Sequence, residues 1–522
     1  MKLKKNVSTS GLLFASVSAM LGSGWLFGPL YVAQTAGNAG ILSWLIGGCM
    51  AMLLALTFAE IISALPISGG VATYTYITHG NLLGFTMAWV FWVSVVFAAP
   101  IEVQATILYL SHYFPEIIYK TDDGFGLTLH GYIVSVILML SISIINAISA
   151  KFMSETNKLI SYLKILLPIV ILFAFLYYSY KNGFFKLKGD FAPNGIQGIL
   201  FAISFSGIIY AFNGFQYGLV LAGETRKPQK SIPRAAIFSI LITLCIYLLL
   251  QVAFLFAIPP EALNNGWATL SFSGDAGPIA GLAMLLGIFW LVEVIYIGAI
   301  TSMLGAGIVQ CSTSARSLYA MSASGYLPKW FSKLNRGRVP VRAIFFNFIV
   351  GMLLFILFPT LKLMIPFLSS TIILAFLVGP ICLIGFRKNC DNLKKPFKLP
   401  YHNIIAFFSF YICSLMLFWV GSDILLKLCL IIVIGFAFFI LTKMKEKSRD
   451  LDIKPALCFI TYLIITTGLS YLGSFEKGLN IIPFGYDFFV VFIVSLLFFI
   501  LFKKYTLTQR KSQKVLKDIL NS

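Results

Sequence analysis

Apolar residues in this chain come in long runs rather than at the three-to-four-residue spacing of a helix with one wet face. About fourteen runs stand out, near residues 11–36, 40–65, 83–113, 129–149, 155–179, 196–222, 236–258, 280–315, 342–358, 362–386, 403–422, 424–442, 455–473 and 485–502. Each approaches the roughly 20 residues an α-helix needs to cross about 30 Å of hydrocarbon. Hydrocarbon offers no partner to backbone N–H and C=O groups, so spanning segments of this kind fold as helices. The pattern predicts an all-α integral membrane protein with about fourteen transmembrane helices and no separate soluble domain.

Composition agrees with that class. Of 522 residues, 59% are hydrophobic and only 11% charged, well beyond what a soluble domain buries. A net charge of +20 could suggest nucleic acid, but its placement points elsewhere. With the N-terminus placed in the cytoplasm and the runs alternating sides, most of the 39 Lys and Arg fall on the cytoplasmic side, as the positive-inside rule requires. The expectation is a multi-pass cell-membrane protein with both termini cytoplasmic, the lipid bilayer as its surroundings and no nucleic-acid partner. The start Met1-Lys2-Leu3-Lys4-Lys5 reads as the flank of an uncleaved first helix. Eight cysteines and four histidines show no metal-ligand spacing. No cofactor motif or nucleophile–base pairing stands out, so neither an enzyme nor a cofactor is expected.

Two runs are interrupted at matching places. Met20-Leu21-Gly22-Ser23-Gly24-Trp25 breaks the first, and Tyr210-Ala211-Phe212-Asn213-Gly214-Phe215 breaks the sixth. A break frees backbone groups, each costly in hydrocarbon unless something polar meets it. The new helix N-terminus carries unpaired N–H groups and positive dipole; the new C-terminus carries unpaired carbonyls. A zwitterionic amino acid suits both. Gly22, Ser23 and Gly24 would admit a carboxylate, and carbonyls near Ala19, Met20, Tyr210 and Asn213 would accept from an ammonium. Either glycine pair alone also suits close helix packing. Two breaks five helices apart point instead to a binding site at the bilayer midplane.

These segments resemble the amino acid–polyamine–organocation superfamily of permeases. Gly22-Ser23-Gly24 is similar to the family's first-helix motif. Ala59-Glu60-Ile61 with Pro66-Ile67-Ser68-Gly69-Gly70 and Tyr74-Thr75-Tyr76 resembles its second helix and following loop. Tyr210 to Gln216, then Ala222-Gly223-Glu224-Thr225, Pro228 and Ile232-Pro233-Arg234-Ala235, resemble the sixth-helix break and its loop. Ser314-Ala315-Arg316, Tyr319-Ala320-Met321 and Gly325-Tyr326-Leu327-Pro328 resemble the end of the eighth helix.

The resemblance implies secondary active amino acid transport by alternating access, with substrate between helices one and six. It also implies a ten-helix core at 1–390 of two inverted repeats, about 8–180 and 195–387. Additional helices would occupy 391–505, and 506–522 would form a basic cytoplasmic tail. Many members carry Glu where this chain has Gln216, which turns the expectation from cationic towards acidic or neutral substrates. The extra helices are similar to an aspartate–proton symporter branch, so the reading is proton-coupled amino acid uptake, with exchange as the alternative. A sensor or channel is a remoter alternative; no soluble signalling domain or charged pore lining is apparent.

Ionisable residues inside apolar runs each need a reason. Lys164 follows Lys158 by six residues, so its position alone fits snorkelling to the surface. The resemblance instead implies proton coupling at Lys164, in contact with the first helix near Met20 to Gly22 and with Ser302. Glu102, two residues after Pro100, fits a second proton site, a pocket wall or a hydrogen-bonded structural acid. Glu293 is expected against a neighbouring helix, and Glu60 in an ion pair with a loop arginine. Phe212 is the expected substrate gate.

Overall fold

The computed structural model describes residues 8–521 except 67–69, 122–123, 149, 184, 216–224, 273–276, 336, 338, 392 and 444–451, without the side chains of 150–161, 442–443 and 520–521. Its helices, in chain order, begin with α1 Thr9–Met20, α2 Gly24–Ala36, α3 Gly40–Ala64, α4 Gly70–His79, α5 Asn81–Val96 and α6 Ala98–Leu110. Next come α7 Leu129–Ile148, α8 Ala150–Lys181, α9 Gly195–Phe205, α10 Ile208–Ala211 and α11 Pro228–Ala257. The second half holds α12 Pro278–Leu285, α13 Phe289–Ala323, α14 Val341–Leu357, α15 Leu361–Phe376 and α16 Val378–Asn389. The last five are α17 His402–Trp419, α18 Ser422–Lys443, α19 Ile453–Leu472, α20 Tyr486–Lys504 and α21 Gln509–Asn521.

Eleven helical stretches among the described residues are long and apolar enough to cross a bilayer, with three shorter apolar helices, Thr9–Met20, Gly195–Phe205 and Val341–Leu357. Two of the short ones stop where their runs break. Gly24–Ala64 counts as one stretch of 41 residues, because a 3-10 turn at Gly37–Ala39 joins two helices. A count by length therefore gives eleven where the apolar pattern gives about fourteen.

On the outermost helices the apolar residues face lipid as well as the core, and α7 shows it. On α7 the large residues Ile133, Ile137, Leu140, Ile144 and Ile148 are exposed, whereas Ser135, Ser143 and Asn146 are buried. The exposed set recurs every three or four residues and forms a lipid-facing stripe. Asn146 on the other face donates to the carbonyl of Ile308 at 3.0 Å, cross-linking α7 to α13.

Two long helices carry a one-residue interruption three residues before a proline. Phe97 separates α5 from α6 ahead of Pro100, and Leu377 separates α15 from α16 ahead of Pro380, although each still bonds to the residues four before and four after it. Proline lacks the N–H that would bind the carbonyl four residues back. Glu102 lies on α6, just beyond the first of these interruptions, and is buried.

Two features go beyond the apolar pattern. The loop 114–128 forms an antiparallel hairpin, Ile118–Thr121 with Gly124–Leu127. The basic stretch at 506–522 contains a docked amphipathic helix. In α21, Ser512, Val515 and Leu516 face inward and Arg510, Lys514 and Lys517 outward. Ser512 Oγ donates to Ile77 O, Leu507 N donates to Thr78 O at 2.8 Å, and Lys511 pairs with Asp452 at 2.6 Å.

Candidate functional site

The first run breaks where its sequence says it should. Helix α1 ends at Met20, residues Leu21 to Ser23 are non-helical, and α2 starts at Gly24. The sixth run breaks twice. Gly207 adopts φ +89°, a left-handed conformation that favours glycine, and ends α9; a single turn Ile208–Ala211 follows, then a turn over Phe212 to Phe215. Tyr210 and Ala211 thus lie in a helical turn rather than in the break itself. The Ser206-Gly207 interruption was missed because one glycine in an apolar run is a weak signal. Gln216 lies outside the described residues.

The two breaks touch main chain to main chain. A methyl group on Gly24 would stand 3.1 Å from Ala211 Cα, and one on Gly214 would stand 2.9 Å from Met20 N and 3.0 Å from Ser16 O. Only residues without side chains permit that approach.

Side chains from four other helices meet the freed groups. The Tyr247 hydroxyl, from α11, is 2.7 Å from Met20 O and 3.0 Å from Ala211 O. It has one proton and can donate to one carbonyl at a time. Ser302 Oγ, from α13, donates to Leu21 O at 3.0 Å. Lys164 Nζ, from α8, donates to Ser18 O at 3.1 Å. From α6, the carboxylate of Glu102 accepts the Ser23 N–H, at 2.9 Å to Oε2 and 3.2 Å to Oε1. Tyr210 OH donates to Glu102 Oε1 at 2.6 Å and lies 2.8 Å from Ser23 Oγ.

Met20, Gly22, Ser23, Gly24, Tyr210, Gly214, Glu102, Lys164 and Ser302 therefore converge on one buried locus. Lys164 is only 1% exposed, so it does not snorkel. Its partner is Ser18 O rather than the backbone of Met20 to Gly22, because the packing of α1 on α8 sets which exposed carbonyl faces it. Ala19 is buried just ahead of the first break. Asn213 N donates to Tyr210 O at 2.9 Å. Phe212 is fully buried, its ring 5.5 Å from Tyr247 and 6.2 Å from Trp44, so it packs behind the break.

Glu293 and Glu60 lie elsewhere. Glu293 accepts from Tyr113 OH at 2.8 Å in an exposed position. Glu60 meets Arg387, with Arg387 Nε 2.6 Å from Oε1 and Nη2 2.8 Å from Oε2; Leu399 N also donates to Oε2 at 2.7 Å.

Sequence reasoning missed Tyr247. A signal for it existed. Thr243, Tyr247 and Gln251 are polar at four-residue spacing in an otherwise apolar run, hence on one helix face. Gln251 Nε2 reaches Pro29 O at 3.2 Å and Thr243 Oγ1 reaches Met20 Sδ at 3.2 Å, so all three touch the first run.

The chain matches the amino acid permease family model over residues 7–439. It is 35% identical to a glutamate/serine transporter, AimA, of Bacillus subtilis (strain 168), across 96% of this chain and 93% of that one. It is 32% identical to an aspartate-proton symporter of the same organism, across 94% of this chain and 95% of that one. A branched-chain amino acid permease, BcaP, also from that organism, is 24% identical across 86% and 95%. The chain belongs to the amino acid permease family and is a multi-pass membrane transporter of amino acids.

Proposed function

We propose that this permease takes up an acidic or small neutral amino acid together with protons, by alternating access around the two broken helices. The observation that carries this reading is the direct main-chain contact between the first and sixth breaks, through Gly24 against Ala211 and Gly214 against Met20. Two half-helix ends in contact place donor N–H groups and acceptor carbonyls within the span of one amino acid backbone.

The carboxylate docks on the N-terminus of α2, on the Ser23 N–H and hydroxyl, where Gly22 and Gly24 leave the main chain uncovered. The ammonium docks on carbonyls of Ala19, Met20, Tyr210 and Asn213. Tyr247 lies between the Met20 and Ala211 carbonyls with a single proton. Met20 O also accepts the Gly22 N–H, so it has a lone pair for a substrate donor when Tyr247 donates to Ala211 O instead. Gln216 lies next along the sixth run and bears on side-chain selection. The names of two relatives above 30% identity, a glutamate/serine transporter and an aspartate-proton symporter, support an acidic or small polar substrate.

Proton coupling falls to Lys164, with Ser302 and Glu102. Lys164 and Ser302 each hold a carbonyl of the first run, so loss or gain of a proton at Lys164 changes how α1 is held against α8 and α13. The repeats at 8–180 and 195–387 supply the two halves that rock about the site.

Reconstitution into liposomes under an imposed pH gradient, with labelled glutamate, aspartate, serine and lysine, tests the proposal. Gradient-dependent accumulation of an acidic amino acid or serine, with lysine excluded, is the expected result. Uptake that requires internal amino acid and ignores the pH gradient assigns exchange instead.

A further inference from the structure

Every donor that the preceding reading gives to a substrate carboxylate is already committed to a carboxylate of the protein. The Ser23 N–H points at Glu102. Tyr210 spends its proton on Glu102 Oε1, so the Ser23 hydroxyl, 2.8 Å away, donates to Tyr210 and serves the same carboxylate through it. A methyl on Gly22 would collide with Glu102 Oε1, so the carboxylate lies directly on the uncovered main chain. Glu102 is 3% exposed.

We propose that Glu102 is a tethered surrogate ligand: its carboxylate occupies the α2 N-terminus in place of the substrate's, and substrate binds by displacing it. The inference rests on the substrate site assigned above and adds a device for coupling. An ionised carboxylate accepts hydrogen bonds roughly twice as strong as those to a neutral oxygen, and it also gains from the positive end of α2. A proton taken up by Glu102 turns the acceptor into a neutral acid, weakens both attractions and releases the Ser23 N–H. The substrate carboxylate then takes the vacated donors. The proton enters with the amino acid because the two carboxylates cannot both hold one N-terminus.

The groups facing Glu102 are consistent with that exchange. Tyr210 and Ser23 bond it directly, while Tyr247 on α11 and Lys164 on α8 lie within electrostatic reach. Lys164 donates to Ser18 O and leaves the carboxylate to the α2 end. On the side towards α13 the neighbour is Gly307, where a methyl would stand 3.7 Å from Glu102 Cβ and 3.0 Å from Ile142 Cδ1.

The test measures equilibrium binding of labelled L-glutamate and L-serine to the purified full-length protein between pH 5.5 and 8, for wild type, Glu102→Gln and Glu102→Asp. Wild type should bind more weakly as pH rises. Glu102→Gln should bind at least about tenfold more tightly than wild type at pH 8 and show a flat profile. Glu102→Asp, which keeps the charge but shortens the reach, should also bind more tightly at pH 8; it covers the case in which the glutamine variant does not fold. Weaker binding by both variants at every pH, or an unchanged pH profile in Glu102→Gln, overturns the proposal. L-serinamide, which lacks the carboxylate, separates the two readings. If it competes as well as L-serine, the substrate site itself is wrong; if it fails while Glu102→Gln keeps the wild-type profile, the site stands and only the surrogate role falls.

Discussion

Gly214 lies so close to Met20 that a single added methyl would meet the Met20 main-chain nitrogen at 2.9 Å. The Met20 side chain would be met too, 2.7 Å away at Cγ, but Met20 N and Ser16 O, at 2.9 and 3.0 Å, are main-chain atoms that cannot swing aside. Gly214→Ala should destabilise the protein by about 1–3 kcal/mol through overpacking and abolish transport. Thermal unfolding in detergent alongside uptake checks both, and an alanine variant with wild-type uptake would show that the close approach is dispensable.

Tyr247→Phe removes one oxygen and leaves the ring packed against Phe212 and Trp44. Met20 O keeps the Gly22 N–H at 2.9 Å, whereas the bridge to Ala211 O is lost. A hydrogen bond of this kind contributes roughly 1 kcal/mol. The expected outcome is normal folding and a KM raised about five- to tenfold with smaller change in maximal rate, measured by initial-rate uptake.

Lys164→Ala should fold, since its loss costs one bond to Ser18 O and removes a buried charge. It should lose accumulation against a gradient while retaining equilibrating exchange. Uptake with and without an imposed pH gradient distinguishes these, and undiminished uphill transport would rule out the coupling role.

The pair between Glu60 on α3 and Arg387 on α16 ties two helices outside the site. Arg387→Ala leaves Glu60, 2% exposed, without its cation, at a cost of about 3–5 kcal/mol. The double variant Glu60→Gln/Arg387→Met should recover most of that loss. Denaturation midpoints of the three proteins measure it.

His79 ends α4, outside the spanning helices. Its Nε2 donates to Phe502 O at 3.3 Å and its Nδ1 lies 2.8 Å from Thr78 Oγ1. Burial, against the opposing influence of that carbonyl, lowers its pKa from 6.5 to about 4. The unfolded chain therefore takes up this proton near pH 6.5 and the native protein only near 4. Stability from this group is complete above pH 6.5, declines as pH falls towards 4 and levels off below. His79→Gln should flatten that part of the melting-temperature profile.

The membrane class, the first break and the approximate second one were legible in the sequence, because each is set locally. The run boundaries were only partly so, since the run at 280–315 is two helices, Pro278–Leu285 and Phe289–Ala323, and the one at 236–258 begins at Pro228. Apolar length fixes a span, and Gly22-Ser23-Gly24 or Asn213-Gly214 interrupts its own helix wherever that helix lies. The convergence of polar groups on those breaks was legible only in part. Lys164 stood out as a charge in an apolar run, and the family resemblance added Ser302 and a first-helix backbone contact near Met20 to Gly22. The particular carbonyls they meet, Ser18 O and Leu21 O, were not legible. Partner choice depends on how each helix is rotated and shifted against the next, and that is decided by packing over the whole bundle. Tyr247 meets Met20 across 227 positions and Glu102 meets Ser23 across 79. No local propensity encodes those distances. The sequence determined that two helices would break in the membrane and need polar partners; the tertiary structure alone decided that the first partner of the α2 N-terminus is the protein's own Glu102.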